Sequence, residues 1–178
     1  MMTSKALPST AAAVCIGIAA CGTAAADPTF PDLNSFSAVD PGPYQAHGRG
    51  TTSLLFDTPD GLSCSFGSAR DMADPDADQH LSCTGKFPAR PSPAPPRNDQ
   101  CALERIDDAN GLLYHFSSSY TWGPCDAWPN VRPLGAAQKL SSGSITCAVG
   151  AGDLTACLDT RAGQRHGFVL QPSGSVGF

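Results

Sequence analysis

Glutamate is almost missing from this chain: Glu104 is the only one among sixteen acidic residues, and the rest are aspartates. Helix formers in general are scarce, while 18 glycines and 16 prolines accompany many Ser, Thr and Asp. That balance excludes a helical bundle and favours short strands joined by turns. Basic residues are few as well. Eleven Lys and Arg against sixteen Asp and Glu give a net charge of −5. A negative chain is a poor partner for nucleic acid or an anionic membrane surface, because phosphate binding needs a basic face. Long apolar runs are also absent. The stretch Ala11–Ala20 is about half as long as a membrane-spanning helix, so no transmembrane span is expected.

Several chemical signatures are missing too. No C-x-x-C pair occurs and the cysteine spacings are irregular, which leaves zinc without a ligand set. No G-x-S-x-G elbow is present, Gly61-Leu62-Ser63-Cys64-Ser65 falling one glycine short, and there is no H-E-x-x-H. No cofactor and no catalytic residue follow from such a sequence. Asp74, Asp76 and Asp78 are a weak candidate for metal, since alternate carboxylates open a calcium loop. Gln79 stands where that loop needs glycine and Gly85 where it needs a bidentate glutamate, so a solvated acidic loop is the preferred reading.

What is present begins with a secretory signal. Lys5 precedes the apolar core Ala11–Ala20, and Ala24-Ala25-Ala26 before Asp27 offers a small-residue cleavage site. Ile18-Ala19-Ala20-Cys21 also has the shape of a lipobox, in which Cys21 would be acylated and would anchor the chain to a membrane. Cleavage before Asp27 is the reading we favour. Removing residues 1–26 from the 178 leaves 152, the size of one domain, and takes away only Lys5 among charged residues, so the net charge moves from −5 to −6.

Cys15 and Cys21 fall in the signal, and six of the eight cysteines remain. An even set in an exported chain points to a disulfide framework. Ile145–Val149 and Leu154–Leu158 read as a hairpin, and a three-residue loop at Ala151-Gly152-Asp153 sets Cys147 opposite Cys157, within disulfide reach. Leu62-Ser63-Cys64, Leu81-Ser82-Cys83 and Ile145-Thr146-Cys147 repeat one pattern: an apolar residue and a hydroxyl before cysteine. The repetition suggests Cys64–Cys83 as an equivalent staple and leaves Cys101 to pair with Cys125, one of fifteen connectivities open to six cysteines.

Along the chain, residues 27–50 carry Pro28, Pro31, Pro41 and Pro43 and read as an extended N-terminal segment with one helical turn near Leu33. Residues 51–178 form the β domain. Thr51–Asp57 is a strand, Thr58-Pro59-Asp60-Gly61 a turn, and Leu62–Phe66 the return strand. Phe87–Pro96 reads as an exposed polyproline connector. Asp99–Ala109 is the one place for a short helix, but Asn110-Gly111 between apolar runs favours a hairpin. His166–Leu170, a turn at Gln171–Gly174 and Ser175–Phe178 close the domain as a strand pair.

Tyr114, Phe116, Tyr120 and Trp122 fall at even spacing on one face of a strand, with Trp128 nearby. Such a row is a candidate ligand platform for sugar rings, although an inward core face is the simpler reading; exposure of Trp122 separates the two. His166 and His115 are the candidate centres of the alternative function, a secreted hydrolase.

Phe30-Pro31-Asp32-Leu33, Thr58-Pro59-Asp60-Gly61-Leu62-Ser63-Cys64, the approach from Leu134-Gly135 to Ile145-Thr146-Cys147, and Cys157-Leu158-Asp159 running to His166-Gly167-Phe168-Val169-Leu170 together resemble uncharacterised exported proteins of mycobacteria and related actinobacteria. The resemblance covers most of the mature chain. It implies export and a compact disulfide-linked β fold, and it carries no catalytic residue across. The expectation is a mainly β, small antiparallel domain, sandwich or barrel-like, with little helix and three disulfides. It would be a monomeric, non-catalytic secreted or cell-envelope protein that binds a protein, lipid or glycan partner.

Overall fold

The structure, a computed structural model, describes residues 29–48, 51–67, 79–91, 93–95, 97, 99–108, 113–123, 125 and 131–178. Among them are twelve strands, no α-helix and three short 3-10 turns at Leu33–Ser35, Gly42–Tyr44 and Arg161–Gly163. One antiparallel sheet runs β2 (Gln45–Gly48), β3 (Thr51–Asp57), β4 (Ser63–Phe66), β5 (Ser82–Gly85), β6 (Gln100–Asp107) and β7 (His115–Trp122) in spatial order. The other runs β1 (Ser37–Ala38), β8 (Gln138–Ser142), β9 (Ile145–Val149), β10 (Thr155–Asp159), β11 (His166–Leu170) and β12 (Val176–Gly177). It is antiparallel except for the β1–β8 pair.

Period-two alternation accounts for the strands. In β3, Leu54 and Phe56 turn inward while their neighbours reach the surface, which fixes the register against a one-residue slip. A single core takes side chains from both sheets: Phe56, Phe66, Leu62, Leu81 and Ile106 from the first, and Leu140, Ile145, Phe168 and Leu170 from the second. Asp57 ties β3 to the segment leading into β8 through the backbone, its N–H donating to Arg132 O at 3.2 Å and its C=O accepting from Leu134 N at 2.8 Å.

The three disulfides are Cys64–Cys83, Cys101–Cys125 and Cys147–Cys157. In each sheet the bridge joins the third and fourth strands, and in each the cysteines stand directly opposite in register. Loop parity explains the second hairpin. Gly150 N donates to Leu154 O at 2.8 Å, closing the Ala151–Asp153 loop, and Gly152 takes a φ of +68° there. Counting back from that hydrogen-bonded pair puts Cys147 and Cys157 in a non-hydrogen-bonded pair, the closer of the two kinds, and their Cα atoms are 4.0 Å apart. All four cysteines of these two staples lie in the core.

Two segments differ from the sequence reading. The N-terminal segment is not merely extended: β1 pairs with β8 and β2 pairs with β3, because the prolines fall between the short strands rather than inside them. The connector after Phe87 is not all exposed. Phe87 is buried, its N–H donates to Glu104 Oε2 at 3.1 Å, and Arg90 Nε donates to Glu104 Oε1 at 2.8 Å. The lone glutamate, buried on β6, pins the start of this proline-rich strap. The hairpin read about Asn110-Gly111, with strands at 102–106 and 112–116, corresponds to the longer β6–β7 pair, while Asn110-Gly111 itself, Asp74, Asp76, Asp78, Trp128 and residues 1–26 with Cys21 lie outside the described residues.

Candidate functional site

Two groupings of chemistry-bearing side chains stand out. The first is a charged cluster at one end of the sheets, assembled from chain ends that the hairpins bring together. Asp108 follows β6, His80 precedes β5, Tyr114 precedes β7, Asp159 ends β10 and Arg161 lies in the 3-10 turn after it. Arg161 reaches both carboxylates, with Nε 2.7 Å from Asp159 Oδ2 and its terminal nitrogens on Asp159, Asp108 and the Gln79 carbonyl. His80 Nδ1 sits 2.6 Å from Asp108 Oδ1, and its Nε2 faces the Arg105 guanidinium at 3.4 Å. The Tyr114 hydroxyl donates to Asp159 Oδ2 at 3.1 Å.

Burial alone would raise Asp108, but the hydrogen bonds and charges of His80 and Arg161 outweigh it and hold the carboxyl below the usual aspartate range. Burial, then the Asp159 and Asp108 charges, push the Tyr114 phenol well above the usual tyrosine range, so it remains a neutral donor. Burial would lower Arg161, yet its bonds to Asp159 and Asp108 raise it, and it stays charged. The Ser144 hydroxyl donates to Gln79 Oε1 at 3.0 Å and approaches Asp159 Oδ1 at 3.5 Å. The arrangement links the two sheets, since His80, Asp108 and Tyr114 belong to the first and Ser144, Asp159 and Arg161 to the second. As chemistry it is a latch: each carboxylate is committed to a cation or hydroxyl, and the free imidazole nitrogen faces a guanidinium rather than a hydroxyl. The sequence reading missed it because Asp108, Asp159 and Arg161 carry no local motif; only the topology brings them together.

The second grouping lies on β7. Tyr114 is not on the strand; it enters the core, its ring 5.5 Å from Phe168. Phe116 is half-buried, packed against the core, 5.8 Å from the Phe87 ring and beneath the Arg90 guanidinium at 3.9 Å. Tyr120 and Trp122 share its face of the strand by alternation, but they are 47% and 65% exposed. The row of four therefore divides: the first ring is core, the second is capped by the strap, and the last two are open. Arg97, at the end of the strap, lies 5.7 Å from the Trp122 ring, a cation–π contact at the surface.

The other histidines stand apart from the cluster. His166, at the start of β11, has Nε2 2.8 Å from Gln164 Oε1, and His115 is exposed on β7 opposite Asp107. Among the described residues no group of three His, Cys, Asp or Glu could hold a metal ion, and no helix is long and apolar enough to cross a membrane. Surface clefts among the described residues include two. One, about 400 Å³, is lined by Asp60, Lys86, Arg90, Asp153 and the strap; the other, about 550 Å³, is lined by Val39, Tyr44, Arg132 and Gln138 among others. No protein-family model, curated protein or solved structure matches the chain.

Proposed function

We propose that the chain is an exported, non-catalytic protein of the cell envelope or extracellular space, of the actinobacterial kind its sequence resembles, which binds a protein, lipid or glycan partner through the aromatic end of β7. The observation that carries this reading is the exposure of Trp122 and Tyr120 on one face of one strand. Exposed aromatic surface that does not serve the core is characteristic of a binding site. Three disulfides are compatible with an oxidising compartment. The alternative, a secreted hydrolase centred on His166 or His115, has less behind it, since the described partner of the His166 ring is an amide and His115 lies open on a strand.

The test is co-sedimentation of the oxidised mature domain with envelope polysaccharide, with lipid vesicles and with protein-bearing envelope fragments in separate arms. The Tyr120→Ala/Trp122→Ala double variant is run beside it. Binding in one arm that falls at least tenfold in the double variant supports the reading and names the partner class. Equal binding by both proteins, or none in any arm, contradicts it.

A further inference from the structure

The backbone of β7 carries a second message. Gly123 N donates to Asp99 O at 3.2 Å, and these two residues continue the β6–β7 register. In an antiparallel ladder hydrogen-bonded and non-hydrogen-bonded pairs alternate. Residues 115, 117, 119 and 121 therefore bond to β6, while Phe116, Ser118, Tyr120 and Trp122 direct their N–H and C=O groups away from it. Gln100 agrees: opposite Trp122, its N–H turns back to Arg97 O. Among the described residues no strand is hydrogen-bonded to the outer side of β7, and β12 approaches closely only the Tyr114 carbonyl just before it, at Gly177.

Free edges are usually blunted by shortness, charge or proline. The other three edge strands of this fold, β1, β2 and β12, have two, four and two residues. The remaining edge, β7, has eight residues, with no proline and no Lys, Arg, Asp or Glu. Its hydroxyl row Ser117, Ser119, Thr121 and its aromatic face leave it open to pairing.

We infer that β7 pairs with β7 of a second copy of this chain, antiparallel about a two-fold axis through Ser119. What singles out a second copy over another strand is self-complementarity. With outward-bonding residues opposed, Phe116 meets Trp122 of the second copy, Ser118 meets Tyr120, Ser117 meets Thr121, and Ser119 meets itself. Aromatic meets aromatic and hydroxyl meets hydroxyl, pairings that favour a ladder, and no like charges oppose. Eight new backbone hydrogen bonds close the seam. Trp122 and Tyr120 leave roughly 100–150 Å² open each, so two copies bring about 500 Å² of aromatic surface. The edges of two eight-residue strands supply the remainder of the ~1,000 Å² that a specific interface needs. Directly opposed residues project to the same side of an antiparallel sheet, so pairing also puts both aromatic ends on one face, at opposite ends of the seam. The inference rests on the backbone edge, and its seam draws on the same Tyr120 and Trp122 surface as the proposed partner site; sedimentation of the protein without any partner reads the dimer alone.

Sedimentation velocity on the oxidised mature domain over roughly 1–500 µM tests it. The expected result is a monomer–dimer equilibrium that goes no further. Ser118→Pro removes an outward N–H at an edge position and should weaken the dimer at least tenfold, with the melting temperature of the dilute monomer little changed. Ser119→Lys and Ser119→Asp, each facing its own charge across the axis, should also be monomeric, and mixing them should restore a dimer. A wild type that stays monomeric, open-ended association, Ser118→Pro dimers as tight as wild type, or no rescue on mixing would overturn the inference.

Discussion

Arg161 and Tyr114 show how single residues hold this fold closed. Arg161 is the common partner of Asp108 and Asp159, which are 6% and 1% exposed. Arg161→Ala would leave Asp108 with His80 alone and Asp159 with hydroxyl and backbone donors, and should cost about 2–3 kcal/mol, toward the low side for a broken buried pair because these partners remain and the guanidinium also reaches solvent. Chemical denaturation with an unchanged slope would measure it. Tyr114→Phe loses one hydrogen bond to a carboxylate and should cost about 1–2 kcal/mol. The same residues set the pH limits. Asp108 titrates lower in the fold than in the unfolded chain, so its contribution is complete above pH of about 4 and is lost as pH falls through the folded value. Tyr114 titrates higher in the fold, so its contribution is complete below pH of about 10 and is lost above it as the unfolded chain ionises. Melting temperature should therefore fall at both extremes, and Tyr114→Phe should flatten the alkaline side alone.

Among the elements, the strap starting at Phe87 tests whether one buried carboxylate can position a proline-rich segment. Glu104 binds its backbone through Phe87 and its cation through Arg90, which in turn covers Phe116. Glu104→Gln keeps the shape and one acceptor oxygen but loses the charge. We expect about 1–2 kcal/mol of destabilisation together with faster proteolysis between Pro88 and Arg97, measured by timed digestion. Sequence alone makes the strap an exposed connector, since proline content speaks of stiffness and not of where Phe87 points. Strands were more legible. Thr51–Asp57, the Thr58–Gly61 turn and the Cys147–Cys157 hairpin all follow from alternation and turn chemistry, which act within ten residues. The exposure of Tyr120 and Trp122 was not, because even spacing defines a face without saying how far the opposing sheet extends over it. The charged cluster was beyond reach for the same reason of distance: Asp108 and Arg161 are 53 residues apart.

For the whole molecule, cohesion comes from one core shared by two sheets and from staples placed at the same position in each. Loops of 19, 24 and 10 residues are each worth about 3 kcal/mol in the chain-entropy picture, so together they approach 9 kcal/mol, comparable to the entire stability of an ordinary domain. Reduction under otherwise native conditions should therefore unfold the protein, with loss of near-ultraviolet dichroism; a reduced form that kept its signal would show the core to be sufficient. Among the described residues the same economy concentrates exposed pairing capacity in one strand, since the other three edge strands have two, four and two residues. The claim that β7 is an open edge is tested most directly by residue-resolved hydrogen exchange in dilute oxidised protein. The account predicts alternation along the strand, with amides 117, 119 and 121 protected by β6, amides 116, 118, 120 and 122 exchanging freely, and protection of the second set appearing as concentration is raised. Uniform protection along β7 at high dilution would contradict it.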